Sequence, residues 1–140
     1  MGIKFTKIKY DGLAVTIKYE EDDDVVEIKS TEAPEADFPA ALRDLAQDVA
    51  RLCELDIDIE DVEVRGVTFV TVGEEPAFTI TAIRRLSNRK ALVLNTPLTT
   101  YSDEEIPDGV RDHLRFLETS ASAYIIGKRK RQMELFEAAA

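Results

Sequence analysis

Apolar and polar residues alternate along the first thirty positions, then settle into helical spacing, and the same two patterns follow a second time. Ile3 to Tyr10 is β-branched and aromatic with interleaved lysines, which predicts a strand. Asp11-Gly12 is the strongest short hairpin signal in the chain. Leu13, Val15, Ile17 and Tyr19 then alternate with Ala14, Thr16, Lys18 and Glu20, the period of a half-buried strand. Glu20 to Asp24 is a charged turn, and Val25 to Lys29 forms a third strand with Val26 and Ile28 on one face. After a loop containing Pro34, Asp37 suits an N-cap and Pro39 a first helical turn. Phe38, Leu42, Leu45, Val49, Leu52 and Cys53 follow at helical spacing, with Asp44, Gln47, Asp48 and Arg51 on the opposite face.

The second round opens with Leu55 to Asp61, whose alternating carboxylates read as a solvated linker or strand entry. Without a glycine-bearing calcium loop they do not read as a metal site. Val62 to Val72 predicts a long strand with a bulge at Gly66. Gly73 to Pro76 turns the chain, Phe78 to Leu86 is the next strand, Ser87 to Lys90 another turn, and Ala91 to Asn95 a third strand. Leu92, Val93 and Leu94 are consecutive apolar residues, which predicts burial on both faces. Pro97 to Pro107 is a loop. Ile106, Val110, Leu114, Leu117, Ala121, Tyr124 and Ile125 then recur at helical spacing up to Gly127, a residue suited to closing a helix. Asp103, Glu104 and Glu105 precede this helix, where acidic charge favours its positive end.

These elements predict an α+β fold: an antiparallel sheet of about six strands in βββα-βββα order, with two amphipathic helices packed on one face. Residues 1–127 form the domain, and residues 128–140 are expected as an extended, flexible basic tail. The second sheet face is expected to be solvated, with Thr16, Lys18, Thr79, Thr81, Arg85 and the Arg84 to Lys90 turn as its residues.

Composition narrows the chemistry. Cys53 and His113 are the single cysteine and histidine, so neither a disulfide framework nor a Cys/His metal site can be assembled. Cys53 reads as a core residue and His113 as a boundary residue. The sequence contains no phosphate-cradling glycine loop, nucleophile elbow or histidine metal motif, so no catalytic residues, cofactor or small-molecule substrate are expected and the chain does not read as an enzyme. It shows no membrane-spanning run and no leader, which predicts a cytoplasmic protein. The formal net charge of -10 argues against nucleic acid coating the whole surface. The charge is uneven, however. Val64 to Thr100 carries Arg65, Arg84, Arg85, Arg89 and Lys90 against Glu74 and Glu75, and the first eighteen residues carry Lys4, Lys7, Lys9 and Lys18 against Asp11. Candidate nucleic-acid contacts are therefore Lys18, Arg84, Arg85, Arg89 and Lys90, together with Lys128, Arg129, Lys130 and Arg131. Stacking of Tyr10, Tyr19, Phe69 or Phe78 on bases would favour single strands.

The last thirteen residues carry the most specific signal. Four cations, Lys128 to Arg131, repel one another and favour a solvated segment. Gln132, Met133, Leu135 and Phe136 follow: one amide able to donate and accept, and three apolar residues with no core left to join. Gln132-Met133-Glu134-Leu135-Phe136 resembles the clamp-binding peptide of bacterial replication and repair proteins. Its form is Gln, Leu or Met, any residue, Leu, Phe, and every position matches. Such a match arises by chance in roughly one protein of this length in several hundred.

The resemblance implies that Gln132 occupies a small subsite, that Leu135 and Phe136 enter the hydrophobic cleft of the sliding clamp (the beta subunit of DNA polymerase III), and that Met133 supports the peptide. More loosely, the whole chain resembles small uncharacterised bacteriophage and prophage proteins. That likeness rests on the lysine-rich hairpin, the Phe38 to Ala46 helix, the Val93 to Pro97 stretch and the Gln-x-x-Leu-Phe ending, and it implies a bacterial host cell. Three functions follow as expectations. The first is an accessory protein of DNA replication or recombination that docks on the clamp while its body holds single-stranded DNA or another protein. The second is a phage inhibitor of the host clamp with an acidic, DNA-mimicking body. The third is an acidic interaction domain whose tail packs on itself.

Overall fold

The structure is a computed structural model that describes residues 3–103 and 106–139; the side chains of Lys130, Gln132, Ala138 and Ala139 lie outside the description. Three strands open the chain, β1 (Lys4–Tyr10), β2 (Val15–Glu21) and β3 (Asp24–Ser30). Asp11 sets the first turn: its Oδ1 accepts hydrogen bonds from the Leu13 and Ala14 backbone N–H groups at 2.9 and 2.8 Å. These bonds hold the Asp11 carboxyl below the usual carboxylate range. The loop spans four residues, because Tyr10 pairs with Val15. Leu13, expected on the buried side of the alternation, therefore stands in the loop, exposed. Asp22 and Asp23, both with positive φ, make the tight turn into β3.

The chain then crosses one sheet face as α1 (Asp37–Asp44) and α2 (Ala46–Leu52). The predicted single helix is thus in two pieces. At Leu45 the N–H bonds back three residues to the Leu42 carbonyl, a tightened step, and the Val49 N–H returns to the Leu45 carbonyl. Ala36, not Asp37, occupies the N-cap, and no side chain caps the helix. Asp58 caps a short 3-10 turn by accepting from the Glu60 N–H at 3.0 Å, which absorbs the expected linker carboxylates into a local turn.

β4 (Val62–Val72) and β5 (Glu75–Arg85) form the long hairpin at the centre of the second half. Its register shifts between Val64 and Gly66, as the predicted bulge requires. Gly66 is needed there because a Cβ on it would stand 2.4 Å from the Ile8 carbonyl oxygen on β1. β6 (Ala91–Asn95) and β7 (Thr99–Thr100) both pair with β5. Thr96 joins them: its N–H donates to the Ile80 carbonyl at 3.0 Å, and the Ile80 N–H donates to its Oγ1 at 2.9 Å. The sheet is antiparallel with order β3-β2-β1-β4-β5-β6. The antiparallel α+β architecture with helices on one face is as the sequence predicts.

Two further expectations are overturned. β6 ends the sheet, and Leu92 and Val93 are exposed instead of buried on both faces. The second correction concerns the tail. The final helix, α3 (Val110–Ala139), runs straight through Gly127, so residues 128–139 are helical and not an extended tail. The boundary expected at residue 127 falls inside a continuous helix. Of the acids expected before this helix, Glu104 and Glu105 lie outside the described residues. α3 packs on α1 and on the sheet through Leu114, Leu117, Ala121 and Ile125, all buried. The core lies between this helical layer and the inner faces of Phe5, Ile8, Ile17, Tyr19, Val67, Phe78 and Ile80. No helix among the described residues is long and apolar enough to cross a membrane.

Candidate functional site: the helix end and the open sheet face

α3 is about 45 Å long at 1.5 Å per residue, and ion pairs explain why it does not stop at Gly127. Glu32, in the loop after β3, accepts from Arg131 at 2.5 Å and pairs with Lys128 at 3.4 Å. Glu21, at the end of β2, pairs with Arg129 at 3.1 Å. Arg129 also donates to the Tyr19 hydroxyl at 2.8 Å, its guanidinium carbon 6.0 Å from the ring centre. Tyr124 donates to the Glu32 carbonyl at 3.0 Å. Three of the four cations expected to repel one another are thus neutralised by carboxylates from the first hairpin region. A glycine within a helix costs about 1 kcal/mol, and these contacts with the body offset it. Hydrogen bonding from Arg131, with Lys128 adding charge, holds the Glu32 carboxyl below its ordinary range. The Glu21 hydrogen bond raises Arg129.

Beyond Arg131 the helix carries its apolar residues into solvent. Met133 is 65%, Leu135 71% and Phe136 78% exposed. Arg129, Met133, Phe136 and Glu137 border a shallow recess of ≈ 380 Å³. The backbone of Gln132 continues the helix. The four motif residues are therefore collected on one short segment, and its three described side chains do not pack on the body.

The expected basic residues of the body do not share one surface. Lys18 lies opposite Lys7 of β1, which in turn aligns with Thr68 and Thr79. Arg85 is six residues further along β5 than Thr79 and is joined to Glu63 at 3.3 Å. Arg84 alternates onto the helix-covered face with Ala82, half-buried, its Nε without a partner among the described residues. Arg89, with φ of 67°, and Lys90 form the exposed turn between β5 and β6. The four aromatics named as possible base-stacking groups belong to the core instead. Tyr19 and Phe78 are buried, and Tyr10 and Phe69 pack against the core. Tyr10 and Tyr124 both stack edge-on against Phe38, with centroids 6.0 and 6.1 Å apart.

Helical spacing placed Asp48 on the polar face of its helix, yet it has no exposed surface. Its Oδ2 lies 2.6 Å from His113 Nδ1 on α3. The far edge of the imidazole faces Gly109, where a Cβ would stand 3.5 Å from Cε1. The pair fastens α2 to the first turn of α3. No local pattern reveals it, because its members sit on separate helices. Cys53 faces the Asn95 carbonyl at 3.9 Å, and burial raises its thiol above the ordinary value. Among the described residues, no three metal-ligating side chains converge. Compared with protein-family models, curated proteins and solved structures, the chain matches none.

Proposed function

We propose that this chain is a docking module of DNA replication or recombination that binds a bacterial sliding clamp through Gln132, Met133, Leu135 and Phe136, while its folded body holds nucleic acid or another protein. The observation that carries the reading is the exposure of Met133, Leu135 and Phe136 beyond Arg131, the last residue of the helix with an ion pair to the body among the described residues. Large apolar side chains in water at a helix end gain by burial in a partner, about 1.5–3 kcal/mol each. The helical state of the segment does not obstruct this. Propagation constants near unity make an unanchored helix end easily unwound, about 1 kcal/mol for two turns. The segment can therefore enter a cleft extended, with Arg131 as the hinge. A tail packed on its own body is disfavoured by the same exposure. The reading assigns the chain no reaction of its own.

Calorimetric titration of the chain into a bacterial sliding clamp, beside a Leu135→Ala/Phe136→Ala copy, tests it. Micromolar or tighter binding by the native chain, weakened at least about a hundredfold in the copy, is expected from losing two pocket-filling side chains. Absence of binding by the native chain, or equal binding by both, would overturn it.

A further inference from the structure

The helices occupy one face of the sheet. The other face is uncovered among the described residues, and its centre is a basic lane. Lys7 and Lys18 are direct cross-strand partners, and Lys9 pairs with Thr16 on one side and Gly66 on the other. Residues two apart on a strand point the same way, so Lys7 and Lys9 stand side by side about 7 Å apart. Like charges placed directly opposite destabilise a sheet by roughly 0.2–1 kcal/mol. None of the three lysines lies within ion-pair distance of a carboxylate among the described residues. The contacts of these three lysines with one another therefore do not favour folding. Partial burial, followed by the neighbouring Lys7, lowers Lys9, as crowding of like charge requires.

The lane continues as hydrogen-bonding groups. Thr68 and Thr79 extend the row of Lys7, and Thr81 extends that of Lys9, its hydroxyl 2.9 Å from Asn95 Oδ1. A depression of ≈ 350 Å³ lies in it, bordered by Lys9, Asp11, Thr16, Arg65, Thr81 and Ile83. Arg65 is already held, by Glu63 at 2.8 Å and by the Asp11 carbonyl at 2.9 Å, and stands as a wall. On the far side Glu27, opposite Lys18, and Glu20, opposite Val25, bound the lane with negative charge.

From this arrangement we infer that the open sheet face binds the phosphate backbone of single-stranded nucleic acid, through Lys7, Lys9 and Lys18. Ammonium groups neutralise successive phosphates, and the Thr68 and Thr79 hydroxyls donate to phosphate oxygens, the Thr81 proton being held by Asn95. The lane from β2 to β5 spans three strand intervals, about 14 Å. That width takes one strand, and a second strand would lie against the acidic border. With the aromatic residues turned inward, the contact is to phosphate and is indifferent to sequence. The inference deepens the proposed function by naming what the body holds, and it rests on that reading only for its biological setting.

The test is fluorescence anisotropy of the full chain, without any clamp, on a labelled thymidine strand of roughly 20 nucleotides and on a duplex of equal length, at about 50 and 200 mM salt. The native chain should bind the strand more tightly than the duplex. Lys7→Gln/Lys9→Gln/Lys18→Gln should weaken binding at least about tenfold and reduce the salt slope by about 2, near 0.7 for each of three phosphates. Glu27→Lys should tighten it, which guards against a folding defect in the triple variant. Arg89→Gln/Lys90→Gln and Leu135→Ala/Phe136→Ala should bind as the native chain does. No binding at about 50 mM salt, equal or tighter binding of the duplex, or a triple variant within about twofold of native would overturn the inference. Because the clamp is absent and the tail variant is a control, failure here leaves the docking reading standing, and the converse also holds.

Discussion

His113 Nδ1 stands 2.6 Å from Asp48 Oδ2, joining two helices across 65 positions of sequence. Asp48 is fully buried and its Oδ1 has no partner among the described residues. Burial raises its carboxyl above the ordinary value, and the hydrogen bond from His113 opposes that rise. A carboxyl raised in the folded state holds its proton more tightly there than in the unfolded chain. Its effect on stability is most favourable below the unfolded value near 4 and declines as pH rises through the folded value. His113→Ala leaves the buried carboxylate unpaired. It should cost about 2–4 kcal/mol in urea unfolding at neutral pH and less as the pH is lowered and Asp48 takes up its proton. A loss that stays the same as the pH is lowered would refute this account of the pair.

Glu32 behaves in the opposite sense. Its carboxyl is depressed, chiefly by the hydrogen bond from Arg131. The stabilisation it supplies is present above the unfolded value of about 4.3 and is lost as pH falls through the folded value. Both partners are substantially exposed, so salt weakens the pair too. Amide hydrogen exchange over residues 126–137 should therefore quicken on acidification and in high salt. Glu32→Gln should reproduce the effect at neutral pH, with the strands unchanged. Unaltered exchange in that variant would show that the helix end is held by something other than this carboxylate.

Gly66 is required by contact. A Cβ there would meet the Ile8 carbonyl oxygen at 2.4 Å and Lys9 Cγ at 2.6 Å, and the first is backbone that cannot swing aside. Gly66→Ala should lower stability by about 2 kcal/mol or more through separation of β1 from β4. A melting temperature equal to that of the native chain would contradict it.

The two ends of α3 should respond differently to truncation. Leu117 is fully buried and Phe136 is 78% exposed. Leu117→Ala should cost about 2–5 kcal/mol through lost burial and the cavity left behind. Phe136→Ala should stay within about 0.5 kcal/mol. Chemical denaturation of both variants is the check, and a large loss from Phe136→Ala would mean that the helix end packs on the body after all.

Period and punctuation in the sequence were enough for six strands and most of the turns, but not for β7, which lies in the stretch read as a loop. Val15, Ile17 and Tyr19 alternate inward as read, and Gly66 makes its bulge. These features follow from forces acting within a few residues: side-chain alternation, turn preference and the steric freedom of glycine. The same local rules failed where distant groups arrive. Gly127 and four cations argue for a helix stop, but Glu21 and Glu32, about a hundred positions earlier, supply the opposite charge and the helix continues. Asp48, assigned to the polar face, is buried because His113 meets its Oδ2 from another helix. Three consecutive apolar residues in β6 read as doubly buried, but strand order leaves them at the edge. Lys7 and Lys18 become neighbours only when β1 pairs with β2. The sequence by itself determined most of the elements, the α+β class and the motif at 132–136. Tertiary structure decided which charges are neutralised, which face stays open and that the last helix continues past Gly127, because Coulomb attraction and burial depend on distance in space.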